Sequence, residues 1–411
     1  MNTRSKCNVP SFNSGKITKS IKKKSVKVMI TLSQREKEYI ESLGKKEVEK
    51  IVNIFSNNIS EEPKPIRMSV LMSSLPDDVK MRYFNTIPFN DSDKYLTLVK
   101  SSMEIPFNKV LKPPNMKTKN FLDNANLIMN NHITGNTEAK QEILKILCQW
   151  KDGIIGNNYA IGLEGKPGTG KTTFAKHAVS EATGLPLVSI GLGGCQDASY
   201  LMGNSYTYEG STYGRMVGGL IESGCSNPIF FFDELDKVSA SAKGEEIINT
   251  LIHLIDRSQN SGIRDKYFSF DIDFSKCTFI FSYNDKNKIS PILLDRIKNI
   301  NVETPTREEK FKIIKNNILP KCLETVKKNI TLDDDVINYV LSRNEEECGM
   351  RSIEKDIEHL VLSANLTKAY GSLSIIGIEK SYTVKNSINI EFAMDVLKKK
   401  KGNRVINMMY T

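Results

Sequence analysis

The stretch Gly165-Lys166-Pro167-Gly168-Thr169-Gly170-Lys171-Thr172-Thr173 has the residue types and spacing to hold the phosphates of a nucleotide. It fits G-x-x-x-x-G-K-[ST]: the glycines let successive backbone N–H groups turn toward the anion, and the Lys171 ammonium reaches the β/γ oxygens. The Thr172 hydroxyl ligates Mg²⁺, and a helix that starts there directs its positive end at the same charge. A chance glycine-rich turn would share the composition but not the context. Here the apolar run Tyr159-Ala160-Ile161-Gly162-Leu163 reads as a strand before the loop, and Thr173 to Thr183 as a helix after it.

The complementary chemistry lies further along. Asn227-Pro228 opens the run Ile229-Phe230-Phe231-Phe232, which ends in Asp233-Glu234. Four bulky apolar residues in a row suit a parallel strand buried on both faces, and ligands bind at the C-terminal ends of such strands. Asp233 would hold the Mg²⁺ shell and Glu234 would polarise the attacking water as general base. Alone, this pattern equally fits a core strand followed by a solvated acidic turn; the phosphate loop upstream favours the site. A third strand, Cys277 to Tyr283, ends at Asn284, whose amide would lie beside those carboxylates and orient the water. Arg296 follows Pro291-Ile292-Leu293-Leu294-Asp295, and Arg351 follows Gly349-Met350. Guanidinium forks bond phosphoryl oxygens bidentately and stay charged, although a lone arginine is usually a surface residue.

With these residues in place, the chain resembles the ATPase module of Lon proteases, a branch of the AAA+ superfamily, over about three quarters of its length. His132-Ile133-Thr134-Gly135 and Ala139 to Leu144 resemble the family's nucleotide-edge loop and following helix. Gly193-Gly194-Cys195-Gln196-Asp197 and Gly203 to Gly210 resemble its pore-loop segment. Lys276 to Arg296 follows its strand, Asn and "PLLDR" pattern, and Ser74-Leu75-Pro76 to Ile105-Pro106-Phe107 is similar to the helical segment before the ATPase. The resemblance implies an α/β P-loop NTPase fold with a small α-helical lid, ATP and Mg²⁺ as cofactors, and Ile133 and Gly135 at the nucleotide edge. It implies sensor 1 at Asn284, an arginine finger into the neighbouring subunit at Arg296, and sensor 2 at Arg351. It also implies a homohexameric ring that grips unfolded or misfolded protein through Tyr208. Glu209 departs from the pattern, which has an apolar residue there, and a charge weakens grip on apolar segments. In Lon proteases a proteolytic domain with a serine–lysine pair follows the lid. This sequence ends at Thr411, leaving no room for that fold, so a peptidase, if one acts with it, is expected to be a separate protein.

Composition is consistent with such a machine. The length of 411 residues predicts two or three domains. Seven scattered cysteines without a C-x-x-C pair suggest neither a disulfide framework nor a zinc site. No apolar run approaches the roughly 18 residues of a membrane span, and no signal-peptide pattern precedes the basic start. The expectation is therefore an intracellular, cytoplasmic protein, with the nucleus or a viral factory as alternatives, since richness in Lys, Ile and Asn hints at an A/T-rich genome. The net charge of +10 is concentrated in the ends: residues 1–27 carry eight Lys/Arg and no acid, residues 398–411 carry five and no acid, and the body is left at −3. Such arms can contact nucleic-acid phosphates non-specifically, serve as an import address, or only solvate the chain.

The chain then divides as follows: a basic arm over 1–27, a helical N-terminal region over 28–117, an α/β ATPase over 118–304, a helical lid over 305–371, and an extension with a basic tail over 372–411. The lid helices are expected at Arg307 to Ile318, Asp333 to Ser342 and Arg351 to Tyr370, and a further helix at Ile390 to Lys401. The function these readings select is Mg²⁺-dependent ATP hydrolysis that remodels or unfolds polypeptides. The alternative is an ATPase of the same superfamily acting on DNA or RNA through its basic arms. A non-hydrolysing scaffold is disfavoured, because it has no need of a water-activating carboxylate.

Overall fold

The computed structural model describes residues 66–89, 92–152, 160–195, 197–326, 330–370 and 387–397. The basic arms and the helices expected after Ser33 and over Lys46 to Asn57 lie outside them. Two compact units divide the chain, one comprising Met1–Ser73 and Lys80–Phe89, the other Ser74–Val79 and Asn90–Thr411. Helix α1 (Ile66–Met72) lies in the first, as does most of α2 (Asp77–Thr86). There Val70, Tyr83 and Ile87 are buried, and Arg67 lays its guanidinium 3.9 Å over the Phe84 ring.

The second unit opens with α3 (Asp93–Met103), α4 (Thr118–His132) and α5 (Thr137–Lys151). β1 (Ala160–Glu164) leads through the phosphate loop into α6 (Lys171–Thr173), which widens to a π-helix over Phe174–Glu181. Then follow β2 (Leu187–Gly191), α7 (Ser199–Met202), α8 (Arg215–Ser223), β3 (Ile229–Asp233), α9 (Ala242–Ile255) and the short hairpin of β4 (Ile263–Arg264) and β5 (Asp271–Ile272). β6 (Thr278–Tyr283), α10 (Pro291–Leu294) and β7 (Lys298–Asn301) complete the domain. Five strands form one sheet in the order β2-β3-β6-β1-β7, every neighbouring pair parallel.

Both faces of that sheet are covered, which explains the unbroken apolar runs. Alternation along β3 sends Phe230 and Phe232 to one face, where they stack on Phe279 and Phe281 of β6, the closest pair having ring centroids 5.0 Å apart. Phe231 joins the core on the other face, with Phe121, Met129 and Phe174. Each buried phenylalanine contributes about 1.5–3 kcal/mol through burial. The strands whose ends carry the polar residues are thus the best anchored in the molecule.

The lid begins with α11 (Arg307–Ile313), capped by the reciprocal Thr306 and Glu309 bonds of a capping box. The first lid helix is expected to end at Ile318, yet it continues. It widens to a π-turn over Ile314–Ile318 and resumes as α12 (Leu319–Val326), with the proline in its first turn, where a missing N–H and a ring are tolerated. β8 (Thr331–Leu332), α13 (Asp334–Arg343), α14 (Arg351–Tyr370), β9 (Ser387–Ile388) and α15 (Ile390–Val396) follow. β9 pairs with β8, and Ile388, Phe392 and Val396 share one core with Val336, Ile357 and Leu360. The segment 387–397 therefore pairs and packs with the lid helices. Its amphipathic spacing has a partner in α13 and α14.

Candidate nucleotide site

Parallel pairing brings the C-terminal ends of β1, β3 and β6 side by side: Glu164 pairs with Tyr283 and Phe232 with Phe281. The phosphate loop, Asp233-Glu234 and Asn284 consequently emerge at one edge. They border a cavity of about 720 Å³, within the roughly 300–1,000 Å³ typical of small-ligand pockets. Pro167 to Thr173, Asp233, Glu234, Asn284, Ile133 and Arg351 all line it. Gly165, Lys166, Gly135, Arg296, Tyr208 and Glu209 do not.

Within the loop, Gly168 and Gly170 have φ of 76° and 94°, conformations that turn backbone amides inward and that side chains resist. Lys171 is half-buried; its ammonium donates to the carbonyls of Gly165 (2.6 Å) and Lys166 (3.1 Å) and to Asn284 Oδ1 (2.8 Å). Desolvation lowers its pKa, the nearby charge of Arg351 adds to that, and Asp233 and Asp236 oppose it. The cation is thus held at the cavity wall, between the loop and the residue that follows β6.

Asp233 accepts hydrogen bonds from the Ser282 hydroxyl and from the Glu234 amide (3.1 Å). Glu234 adopts φ 61°, a left-handed conformation that costs a non-glycine residue of order 1 kcal/mol. Its carboxylate lies over the backbone of Gly193, where any side chain would collide with it. Asp236, which sequence reasoning passed over, is buried with one carboxylate oxygen unpartnered among the described residues. Its spacing of three from Asp233 was the available signal. Oxygen donors at Thr172 and Asp233, with this further carboxylate charge behind them, are the hard set that Mg²⁺ prefers.

The lid closes one side of the cavity. Met350 N donates to Gly168 O (2.9 Å), and Lys166 Nζ donates to Cys348 Sγ (3.2 Å). Arg351, the first residue of α14, thereby stands at the cavity beside the loop. On the opposite wall Ile133 is held by Lys140, whose ammonium donates to its carbonyl (2.6 Å). Gly135 sits outside the cavity at φ 70°, under the Glu309 carboxylate of the lid. Asn136 ties this loop to the lid entrance, Oδ1 accepting from Glu303 N (2.7 Å) and Nδ2 donating to Glu303 O (3.4 Å).

Arg296 is exposed and donates to Ile292 O (3.0 Å), away from the cavity of its own chain. Tyr208 is 68% exposed on the loop between α7 and α8, and Glu209 is exposed beside it. Lys94 of α3, which no local pattern singles out, donates to the carbonyls of Thr207 (2.9 Å) and Tyr208 (2.5 Å). The Tyr95 ring lies 6.4 Å from that of Tyr206. The loop backbone is therefore braced while the Tyr208 ring is free. Among the described residues no helix is long and apolar enough to cross a membrane.

Residues 161–304 match the model of the ATPase family associated with various cellular activities (AAA). The chain is 30% identical to a Lon protease homolog of Acanthamoeba polyphaga mimivirus over 402 residues, 88% of this chain and 39% of that protein. It is 33% identical to the Lon protease of Clostridium acetobutylicum over 303 residues, 71% of this chain and 38% of the other. The Lon protease of Clostridioides difficile is 34% identical over 250 residues, 60% of this chain and 32% of that one. The chain thus spans less than half the length of these curated relatives. The chain therefore carries an AAA domain on a five-stranded parallel sheet, and its similarity to Lon proteases extends well beyond that domain.

Proposed function

We propose that the chain hydrolyses ATP with Mg²⁺ and uses the energy to remodel or unfold polypeptides as a subunit of a ring. The observation that carries this reading is the convergence of Lys171, Thr172, Asp233, Glu234 and Asn284 on one cavity, at the ends of three adjacent strands. Inward-turned loop amides and Lys171 bind and orient the triphosphate. The Thr172 hydroxyl and Asp233, directly or through water, would hold a Mg²⁺ ion, which would supply positive charge against that developing on the phosphoryl oxygens. Glu234 accepts the proton of the attacking water, and Asn284 fixes that water's direction. Arg351 reports from the lid, since its helix is joined to the phosphate loop through Met350. Arg296 serves the site of a neighbouring subunit.

The polypeptide assignment draws its support from the exposed Tyr208 on a braced loop and from the Lon relatives. An aromatic ring gives contact area without reading sequence. Glu209 biases that contact toward basic and polar segments, an attraction that salt screens. ATPase assays test both levels. Glu234→Gln should retain ATP binding while turnover falls about 10²-fold or more, the usual scale of general-base loss. Lys171→Ala should weaken binding itself. In the parent, an unfolded protein should stimulate turnover at moderate salt; Tyr208→Ala should lose that stimulation and keep basal turnover, and Glu209→Val should shift preference toward apolar segments. Stimulation by DNA or RNA alone, abolished by deleting residues 1–27, would instead establish the nucleic-acid alternative.

A further inference from the structure

We propose that His132, His177 and Glu181 form a binding site for a divalent transition-metal cation of the zinc class, set in the wall of the nucleotide cavity. His132 is the last residue of α4; His177 and Glu181 stand four apart on the π-helical stretch that follows the phosphate loop. Both histidines line the cavity. Glu181 Oε2 lies 2.5 Å from His177 Nδ1 and 3.8 Å from His132 Nε2. One donor atom from each of the three residues falls within a sphere of contacts no wider than 4.8 Å.

Two imidazoles and one carboxylate are a zinc-type donor set, which leaves a fourth position open for water or a ligand. At zinc–ligand distances near 2.0–2.1 Å, donors on a tetrahedral centre stand about 3.3 Å apart. Small side-chain rotations reach that from the observed separations. The two rings stack, centroids 3.8 Å apart and planes 10° from parallel. A metal takes the lone pair of a neutral imidazole nitrogen, and each of the two rings can offer one in its own plane. In the stack those lone pairs run parallel, so capture turns at least one ring to aim both at the ion. Capture at His177 Nδ1 needs that nitrogen's lone pair, so the hydrogen bonded toward Glu181 moves to Nε2 in a neutral ring or leaves to solvent from a charged one.

The scaffold favours such a clip. Phe121, Ala125 and Met129 of α4 pack in one core with Phe174, Ala175 and Ala178 of α6. The three donors remain partly accessible, with side-chain exposures of 39%, 19% and 47% for His132, His177 and Glu181. A bound cation would fasten the nucleotide-edge segment that follows His132 to the helix that carries the phosphate loop. Nucleotide affinity would then respond to the metal.

Titration of the full chain with Co²⁺ and Zn²⁺, without nucleotide, tests this. The parent should bind one equivalent more than His177→Ala, and this equivalent should show the visible d–d bands of tetrahedral Co²⁺ without thiolate charge-transfer absorption. The second criterion separates the site from the cysteines. Glu181→Gln and His132→Gln preserve shape and should weaken binding at least ten-fold, and lowering the pH through the histidine range should release the metal. Zn²⁺ should change the affinity for a fluorescent ATP analogue in the parent and not in His177→Ala. Indistinguishable metal titrations of parent and the three variants, each folded by circular dichroism, would overturn the site and leave the rings as a hydrogen-bonded tie between helices.

Discussion

Asp265 shows how burial sets the behaviour of a single residue. Its carboxylate is 1% exposed and accepts backbone N–H bonds from Gly214 (2.9 Å), Tyr267 (2.8 Å) and Phe268 (3.3 Å). Desolvation raises its pKa from 3.8 to about 6, although the three amides pull the other way. A carboxylate whose folded pKa lies above its unfolded value contributes stability that is complete below about pH 4. That contribution is lost as the pH rises through about 6, where the buried group must ionise. A shift of this size corresponds to about 3 kcal/mol. Asp265→Asn cannot ionise, so between pH 4 and 7 the parent should lose melting temperature relative to this variant by roughly 5 °C or more. A difference between the two that does not move with pH would refute the assignment.

At the level of elements, the meeting of the phosphate loop with the lid is the contact on which the cavity depends. The turn before α14 approaches so closely that a Cβ on Gly349 would overlap the carbonyl oxygen of Pro167 and the backbone of Gly168. Gly349→Ala must therefore break the Met350 N to Gly168 O bond. One such bond contributes on the order of 1 kcal/mol, and strain adds to it. ATP affinity should fall about ten-fold, as a nucleotide titration would read. Gly194→Ala, where an added Cβ meets nothing within 4 Å, should leave affinity unchanged. None of this contact was legible in the sequence, since 180 residues separate its two sides. What was legible is what local pattern dictates. The strand before the loop, the run Ile229 to Phe232 and the helix from Arg351 to Tyr370 follow from apolar periodicity, and strand ends locate Asp233 and Asn284. The helix expected over Arg307 to Ile318 runs on to Val326, because a π-turn places Pro320 in the opening turn of the resumed helix. The brace from Lys94 and the His132–His177 stack are tertiary, and no spacing rule exposes them.

For the whole molecule, assembly is the proposal that the placement of Arg296 makes testable. Its guanidinium is outside the cavity of its own chain and exposed to solvent, held at Ile292 O on the helix before it. An arginine that completes a neighbour's site must be presented in this manner, free of its own phosphate loop and free to donate a bidentate fork. Activity then belongs to the interface between subunits, and turnover per chain should rise with protein concentration until assembly saturates. Arg296→Ala should bind ATP with nearly the parental affinity yet lose turnover by about 10³-fold, the lower end of what an arginine finger supplies. Mixing Arg296→Ala with Glu234→Gln supplies the decisive comparison. Each variant alone lacks one half of every site, whereas a mixed ring contains some interfaces in which an intact Glu234 on one subunit faces an intact Arg296 on the next. Partial recovery of ATPase in the mixture, absent from either variant alone, is the expected result. Full, concentration-independent activity of a monomer would exclude a finger supplied in trans.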